Sequence, residues 1–319
     1  MVSASSGVGK RPVSSAMVSA PAGEVVMIRN KIKRNEVYQR MKAERKKQAS
    51  KERRERQKQH VKLGDAAPPK AVPKTQESTR ERDETMVDPA DKEVIADQEM
   101  DEFALYFNAS VKPKIAITTC RKPSGRMFDF ISDLLRAVPK SSFYERRNFE
   151  IKQITSEAVE KGFTDIIIIN EDRKELNGLV LIHLPDGPTA HFKLTNVRLS
   201  SEIAGHGVMT GHDPEVVLNN FNTRLGTRIG RMFAALFDQR PEFTGRRAVT
   251  FHNQRDFIFF RQHRYIFDDA GKIVNLQELG PQFTLKLKSL QAGTFDSVNG
   301  EYEWKHRQEM DTSRRRFFL

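Results

Sequence analysis

Residues 179–194 read LVLIHLPDGPTAHFKL, and the folding of this stretch decides the architecture. Two strand-like runs, Leu179-Val180-Leu181-Ile182 and His191-Phe192-Lys193-Leu194, flank Pro185-Asp186-Gly187-Pro188. Apolar, strand-forming runs around such turn residues predict a β-hairpin. Just upstream, Ile166 to Ile169 is apolar without alternation, which predicts a strand covered on both faces. Covered strands need helices. Met127, Phe128, Ile131, Leu134, Leu135 and Val138 fall at helical spacing after a short strand at Lys114–Cys120, and Pro139 ends that helix. A second helix is expected over Ser156–Gly162.

Beyond the hairpin, Asp213 has the chemistry of an N-cap, with Pro214 at the first helical position, so a helix is expected to start there. Ile229, Met232, Phe233, Leu236 and Phe237 mark another amphipathic helix. Val249–Phe251, Phe257–Phe267, Ile273–Leu276 and Phe283–Leu290 then read as a strand meander. In the last strand, entered from Gly280-Pro281, Phe283, Leu285 and Leu287 share one face while Thr284, Lys286 and Lys288 share the other. The expected fold is an α/β domain over 103–300. It has two similar halves, about 103–204 and 213–300, joined across 200–213. Gly125-Arg126-Met127-Phe128 recurs as Gly230-Arg231-Met232-Phe233, and each copy is expected to open an amphipathic helix.

The chain outside this domain is charged. Residues 1–102 are expected to be an arm and linker. Residues 24–60 hold 14 Lys/Arg against 5 Asp/Glu with almost no apolar stripe to bury, which predicts a largely disordered or helical solvated arm. Glu52 and Arg56 stand four apart, as a helical ion pair requires. Such an arm suits a nuclear address and nonspecific RNA contact, or simply solubility. Residues 62–73 read as a linker. Residues 75–102 are acidic, with 11 Asp/Glu against 3 Lys/Arg, fit to shield a basic segment, bind a basic partner or act as a spacer. Residues 301–319 read as a charged tail.

The net charge of +12 favours a polyanionic partner. Cys120 is the only cysteine, which excludes an intrachain disulfide and a cysteine-based zinc site. No apolar run approaches ~18 residues and the first residues lack a signal's apolar core, so a reducing, intracellular setting is expected, without a membrane.

Enzyme signatures fail on their physical requirements. Gly7-Val8-Gly9-Lys10 has Ala4 where a phosphate loop needs glycine and Arg11 where it needs Ser or Thr. The Gly205–Gly211 run has its third glycine one residue too far for a dinucleotide fingerprint and reads as a connector. His206, His212 and Asp213 lack a fixed scaffold for a metal. His183 and His191 flank the hairpin and are placed to face each other, but no nucleophile sits on a recognisable elbow. Cys120, beside Arg121 and Lys122, reads as a small strand-end residue. No catalytic, cofactor or metal site is expected.

The ordered segments Ile117-Thr118-Thr119-Cys120-Arg121-Lys122-Pro123-Ser124 with Arg126, Phe163-Thr164-Asp165, and His183 to Phe192 resemble the Brix domain of eukaryotic ribosome assembly factors. The likeness spans roughly 113–300. It includes Leu276–Leu290, similar to a Gly-Pro-x-Phe stretch compared with an RNA-binding segment of bacterial sigma factors. The family usually has Ser where Cys120 stands. The resemblance implies a two-lobed α/β fold and non-enzymatic binding of large-subunit pre-rRNA in the nucleolus. It also implies other assembly factors as partners, among them a dedicated protein partner, with no DNA. The expected RNA contacts are Arg121, Lys122 and Arg126 at the first strand–helix junction, with Arg261, Arg264, Phe283, Lys286 and Lys288 in the second half. Phe283 and Tyr265 could stack bases, and a place in the core is the alternative for each. Arg261 and Arg264, three apart in a strand, share a face only if a bulge intervenes. Two competing readings are a protein–protein scaffold, marked by salt-insensitive partner binding without RNA affinity, and an RNA enzyme using the Gly205–Gly211 loop, marked by tight nucleotide or methyl-donor binding.

Overall fold

The computed structural model describes Val18–Ser19, Val25–Val26, residues 30–63, parts of 73–90, and 91–319 except 269–270, 272, 297–298 and 311–315. The Gly7–Arg11 stretch and most of the 62–73 linker lie outside the described residues. Contacts divide the chain into two units, Met1–Pro73 and Lys74–Leu319.

The first unit contains a two-stranded pairing of β1 (Val18–Ser19) with β2 (Val25–Val26), and the long helix α1 (Lys31–Leu63). Asn30 caps α1 by accepting from the Ile32 amide at 2.9 Å. Its described side chains are exposed or half-buried throughout, as expected of a helix with no apolar stripe. Glu52 and Arg56 form the anticipated ion pair, at 3.4 Å.

The second unit runs α2 (Lys92–Met100), α3 (Ala104–Phe107), β3 (Ile115–Thr119), α4 (Gly125–Ala137), β4 (Ser141–Phe143), α5 (Ile151–Glu160), β5 (Asp165–Asp172), β6 (Glu175–His183), β7 (Thr189–Arg198), β8 (Glu215–Asn219), α6 (Arg224–Ala234), β9 (Arg247–Gln254), β10 (Phe257–Phe267), β11 (Val274–Glu278), β12 (Gln282–Gln291) and β13 (Tyr302–Lys305). One sheet holds the strands in the order β4-β3-β5-β6-β7-β12-β10-β9-β8, with β11 on β10 and β13 on β12. The expected α/β fold of two similar halves is present. β3, β5, β6 and β7 on one side match β8, β9, β10 and β12 on the other. β3 runs parallel to β5 as β8 does to β9, β4 joins β3 in parallel, and the remaining neighbours on this path are antiparallel. The halves meet where β7 pairs with β12.

They also share one core. α4 and α6 pack on the same face of the sheet. Phe130 of α4 lies edge-on to Phe283 of β12, across the midline, at 5.7 Å. Phe233 of α6 touches both Phe192 of β7 and Phe251 of β9, at 5.3 and 4.5 Å. The two lobes are thus not independent folding units: helices from each half bury aromatic rings of the other.

The reverse face differs between halves. In the first, α5 covers Ala116, Ile166, Ile168, Ile182 and Leu184, which explains the unbroken isoleucine run. The second half has no counterpart of α5, because the connection from α6 to β9, where it would fall, holds only a single 3-10 turn at Phe243–Gly245. Among the described residues no helix covers that part of the sheet.

The hairpin forms as expected, β6 pairing with β7. Gly187 sits at φ +102, and a Cβ there would lie 2.6 Å from the Ala292 carbonyl oxygen, so only glycine fits this turn. Several local expectations are corrected. Asp213 and Pro214 open a strand, not a helix: Val216 to Leu218 pair with Val249 to Phe251, and tertiary pairing outweighs the capping signal. The helix is capped instead by Thr223, whose hydroxyl accepts from the Gly226 amide at 2.8 Å. The second Gly-Arg-Met-Phe copy consequently lies inside α6 rather than at its start. α5 begins at Ile151, where the Glu150 amide donates to Gln153.

The acidic 75–102 segment, expected as a shield, a partner-binding segment or a spacer, and the 301–319 segment, expected as a tail, both pack within the second unit. Met86 bridges to Thr223, β13 pairs with β12, and Leu319 is buried.

Candidate nucleic-acid interface

On the helix-free reverse face of the second half, side chains stand in rows set by strand register. One row is Lys193, Lys286, Phe257 and Gln254, and the next is Thr195, Thr284, Phe259 and His252. Lys193 and Phe257 are exposed, while Lys286, Lys288, Phe259, Arg261 and His252 are half-buried. The Lys286 ammonium lies over the Phe257 ring at 5.4 Å. A bulge falls between Leu287 and Ser289 against β7, and it brings Lys288 near His191. Burial holds His191 below the usual imidazole pKa, and the Lys288 charge pushes the same way. Burial likewise lowers the Arg261 guanidinium and Arg198 adds to it, while Glu278, 3.7 Å away, opposes both. The face is a shallow, cationic, part-aromatic surface rather than a pocket.

The expected contacts divide. Lys286, Lys288 and Arg261 meet on this face. Arg264 does not: β10 pairs with β9 without a bulge from Phe257 to Arg264, so Arg264 projects from the opposite side. Phe283 is corrected to a core residue. It is 3% exposed and its ring stacks on Phe260 with centroids 4.3 Å apart, leaving it no access to a base. Tyr265 is half-buried, hydrogen-bonded to Glu215 and edge-on to Phe267.

Arg121, Lys122 and Arg126 form a separate group where β3 leads into α4. Here carboxylates already stand where phosphate was expected. Glu171 accepts from the Ser124 amide and hydroxyl at 2.9 and 2.7 Å, Arg126 pairs with Glu202 at 3.0 Å, and Arg121 approaches Glu150 at 3.9 Å. The anion preference of the helix start is largely met within the chain. Lys193, Arg198, His191 and His252 were not anticipated. Lys193 and His191 alternate with Phe192 and Leu194, and that alternation was the signal available for them.

The other candidates find structural roles. His183 and His191 face opposite sides of the sheet. His183 is buried, its Nδ1 2.7 Å from Asp165, with Phe103 and Tyr106 against its ring. His206 Nδ1 lies 3.0 Å from the Ile203 carbonyl and Asp213 lies 3.7 Å from Lys140. Among the described residues no group of three His, Cys, Asp or Glu is arranged to hold a metal. Cys120 is half-buried against the core. The 205–213 connector is pinned by Arg247, a buried guanidinium that donates to the carbonyls of Thr210, His212 and Arg136.

A continuous sheet of two similar halves, helix-covered on both faces in one and on a single face in the other, defines the class of protein. The Brix domain model matches residues 120–289, and the chain belongs to the Brix domain family. It is 52% identical over 320 residues to the ribosome production factor 1 of Mus musculus, covering 99% of this chain and 91% of that protein. It is 43% identical over 303 residues to that of Saccharomyces cerevisiae, covering 93% and 99%. A crystal structure of a probable ribosomal biogenesis protein from Aeropyrum pernix aligns with a TM-score of 0.42 and 18% identity over 55% of this chain and 96% of that one.

Proposed function

We propose that this chain is a non-enzymatic ribosome biogenesis factor of the nucleus and nucleolus that binds large-subunit pre-rRNA. The observation carrying the RNA reading is the open reverse face of the second half, where Lys193, Lys286, Lys288 and Arg261 share a face with exposed Phe257. Lysines there offer flexible point charges to backbone phosphates, while Phe257 and His252 offer rings for stacking. The names of the relatives supply the ribosomal setting.

Other assembly factors, including a dedicated protein partner, belong to the same reading. The β10–β11 hairpin leaves Phe267, Val274 and Leu276 exposed on one face, an apolar surface of the kind proteins cover. If that surface is the whole function, the chain is a scaffold without RNA contact. Crosslinking in cells followed by read mapping tests the proposal, alongside RNA affinity of Lys193→Gln/Lys286→Gln. Mapped large-subunit precursor sites that weaken in the variant are expected. Salt-insensitive partner binding with no RNA crosslink would leave the scaffold reading.

A further inference from the structure

α6 carries arginines at 224, 228 and 231, which helical spacing places in one stripe opposite the buried Ile229, Met232 and Phe233. This stripe lies under the acidic segment. Arg224 pairs with Asp97 at 3.1 Å, Arg228 with Glu102 at 2.9 Å, and Arg231 grips Asp101 with two bonds of 2.5 and 2.7 Å. Glu303 of β13 reaches the same Arg228 nitrogen at 2.9 Å.

The covering helix, α2, has no buried residue, and Ile95 and Met100 are 43% and 81% exposed. A nine-residue helix without an apolar face is marginal alone. Charge therefore carries much of its attachment, between a backbone bridge at Met86 and an anchor at fully buried Phe103. The fit is also incomplete. One Arg228 nitrogen serves both carboxylates; its 2.9 Å contact with Glu102 Oε1 lacks the geometry of a hydrogen bond, and the buried Arg228 Nε makes none. A single phosphate, which accepts at two positions at once, would fill the fork that Arg228 leaves open. Arg231 differs, since its fork is filled by Asp101 and the Gln98 carbonyl and it lies over Phe107 at 4.2 Å.

We propose that residues 91–102 are an intramolecular phosphate mimic covering a second RNA-backbone surface, the arginine stripe of α6. Asp101 and Arg231 form the fixed end, and Arg224 and Arg228 are the cations released when α2 lifts. The choice of RNA as occupant rests on the RNA-binding reading above, but the site is separate from the reverse face of the sheet.

The test measures affinity of the full chain for an oligouridylate across a salt series. Asp97→Asn/Glu102→Gln is expected to tighten binding about threefold or more and to steepen the log–log slope by roughly 1.4, two phosphate contacts at about 0.7 each. The gain should vanish when Arg224→Gln/Arg228→Gln is added. Glu93→Gln/Glu99→Gln removes the same charge at positions without an ion pair among the described residues, and should leave the slope unchanged. No gain, an equal gain in that control, or a gain surviving loss of the two arginines would overturn the proposal. So would uncovered arginines that bind polyglutamate but not RNA, which would make the occupant an acidic protein. Thermal unfolding of each variant checks folding, and Asp97→Asn alone serves if the double variant is unstable. Lys286→Gln/Lys288→Gln in parallel separates the two sites: losing its effect sinks the reverse-face reading without touching the α6 result.

Discussion

Lys286 of β12 stands directly opposite Lys193 of β7 on the helix-free side of the sheet. Like charges in register across adjacent strands destabilise a sheet, so an arrangement of this kind costs stability in the free protein. A polyanion lying across the strands would relieve it.

Lys286→Gln/Lys288→Gln is therefore expected to fold normally, with a melting temperature unchanged or slightly raised. RNA affinity should fall, and the log–log salt slope should shrink by roughly 1.4 for two single-strand phosphate contacts. An unchanged slope in a folded variant would reduce this face to a solubility feature.

The opposite side of the same strand should behave as core. Phe283, Leu285 and Leu287 are at most 3% exposed, and Phe283 joins Phe130 of the first half to Phe260 of the second. Leu285→Ala should cost about 2–5 kcal/mol and Phe283→Ala about 3–5 kcal/mol. Because the core is shared, denaturant unfolding should stay a single transition in both. Separate melting of the halves would contradict a shared core.

This strand was legible in the sequence because period-two alternation survives any tertiary arrangement. Thr284 is the exception, buried between its neighbours although it faces the cationic side. The isoleucine run of β5 was readable for a similar reason. What escaped reading depends on distance along the chain. Asp213-Pro214 looks like a helix start until β9, more than thirty residues later, claims Val216 to Leu218 as a strand. Asp97, Asp101 and Glu102 suit a shield, a partner-binding segment or a spacer until α6 places arginines beside them. Phe283, on the strand's apolar face, suits either a base or the core from sequence alone, and Phe130 of helix α4 packing against it decides for the core.

Arg247 tests the connector. It is 2% exposed and holds carbonyls from α4 and from the 205–213 loop, and burial pulls its guanidinium below the usual range. Arg247→Leu removes the donor and leaves buried acceptors, at about 1–3 kcal/mol for each one that water cannot reach. Hydrogen exchange should rise selectively across 203–213. By contrast, His206→Ala/His212→Ala should leave RNA binding nearly intact, and stoichiometric metal lost from that variant would refute the connector role.

Tyr106 gives an alkaline signature of how residues 103–107 dock. It is 7% exposed and lies edge-on to His183 at 5.3 Å. Burial raises its phenol from 10.0 to about 12, and the nearby Asp165 charge pushes the same way while a Thr164 hydrogen bond opposes them. In the unfolded chain the phenol ionises near its ordinary value, whereas the folded protein resists until about 12. Between those values the native state holds more protons than the unfolded one, so stability falls as pH rises. The contribution is fully present below pH 10 and is lost by about pH 12, a change of about 2–3 kcal/mol. Tyr106→Phe removes this titration. Denaturant unfolding at stepped alkaline pH should show the wild type losing stability relative to Tyr106→Phe above pH 10, with a constant difference below it. Asp165→Asn should bring the phenolate absorbance change to lower pH. Parallel stability profiles for wild type and Tyr106→Phe would mean that the phenol is not buried beside Asp165 in solution, and that this segment does not close over the end of β5 and β6.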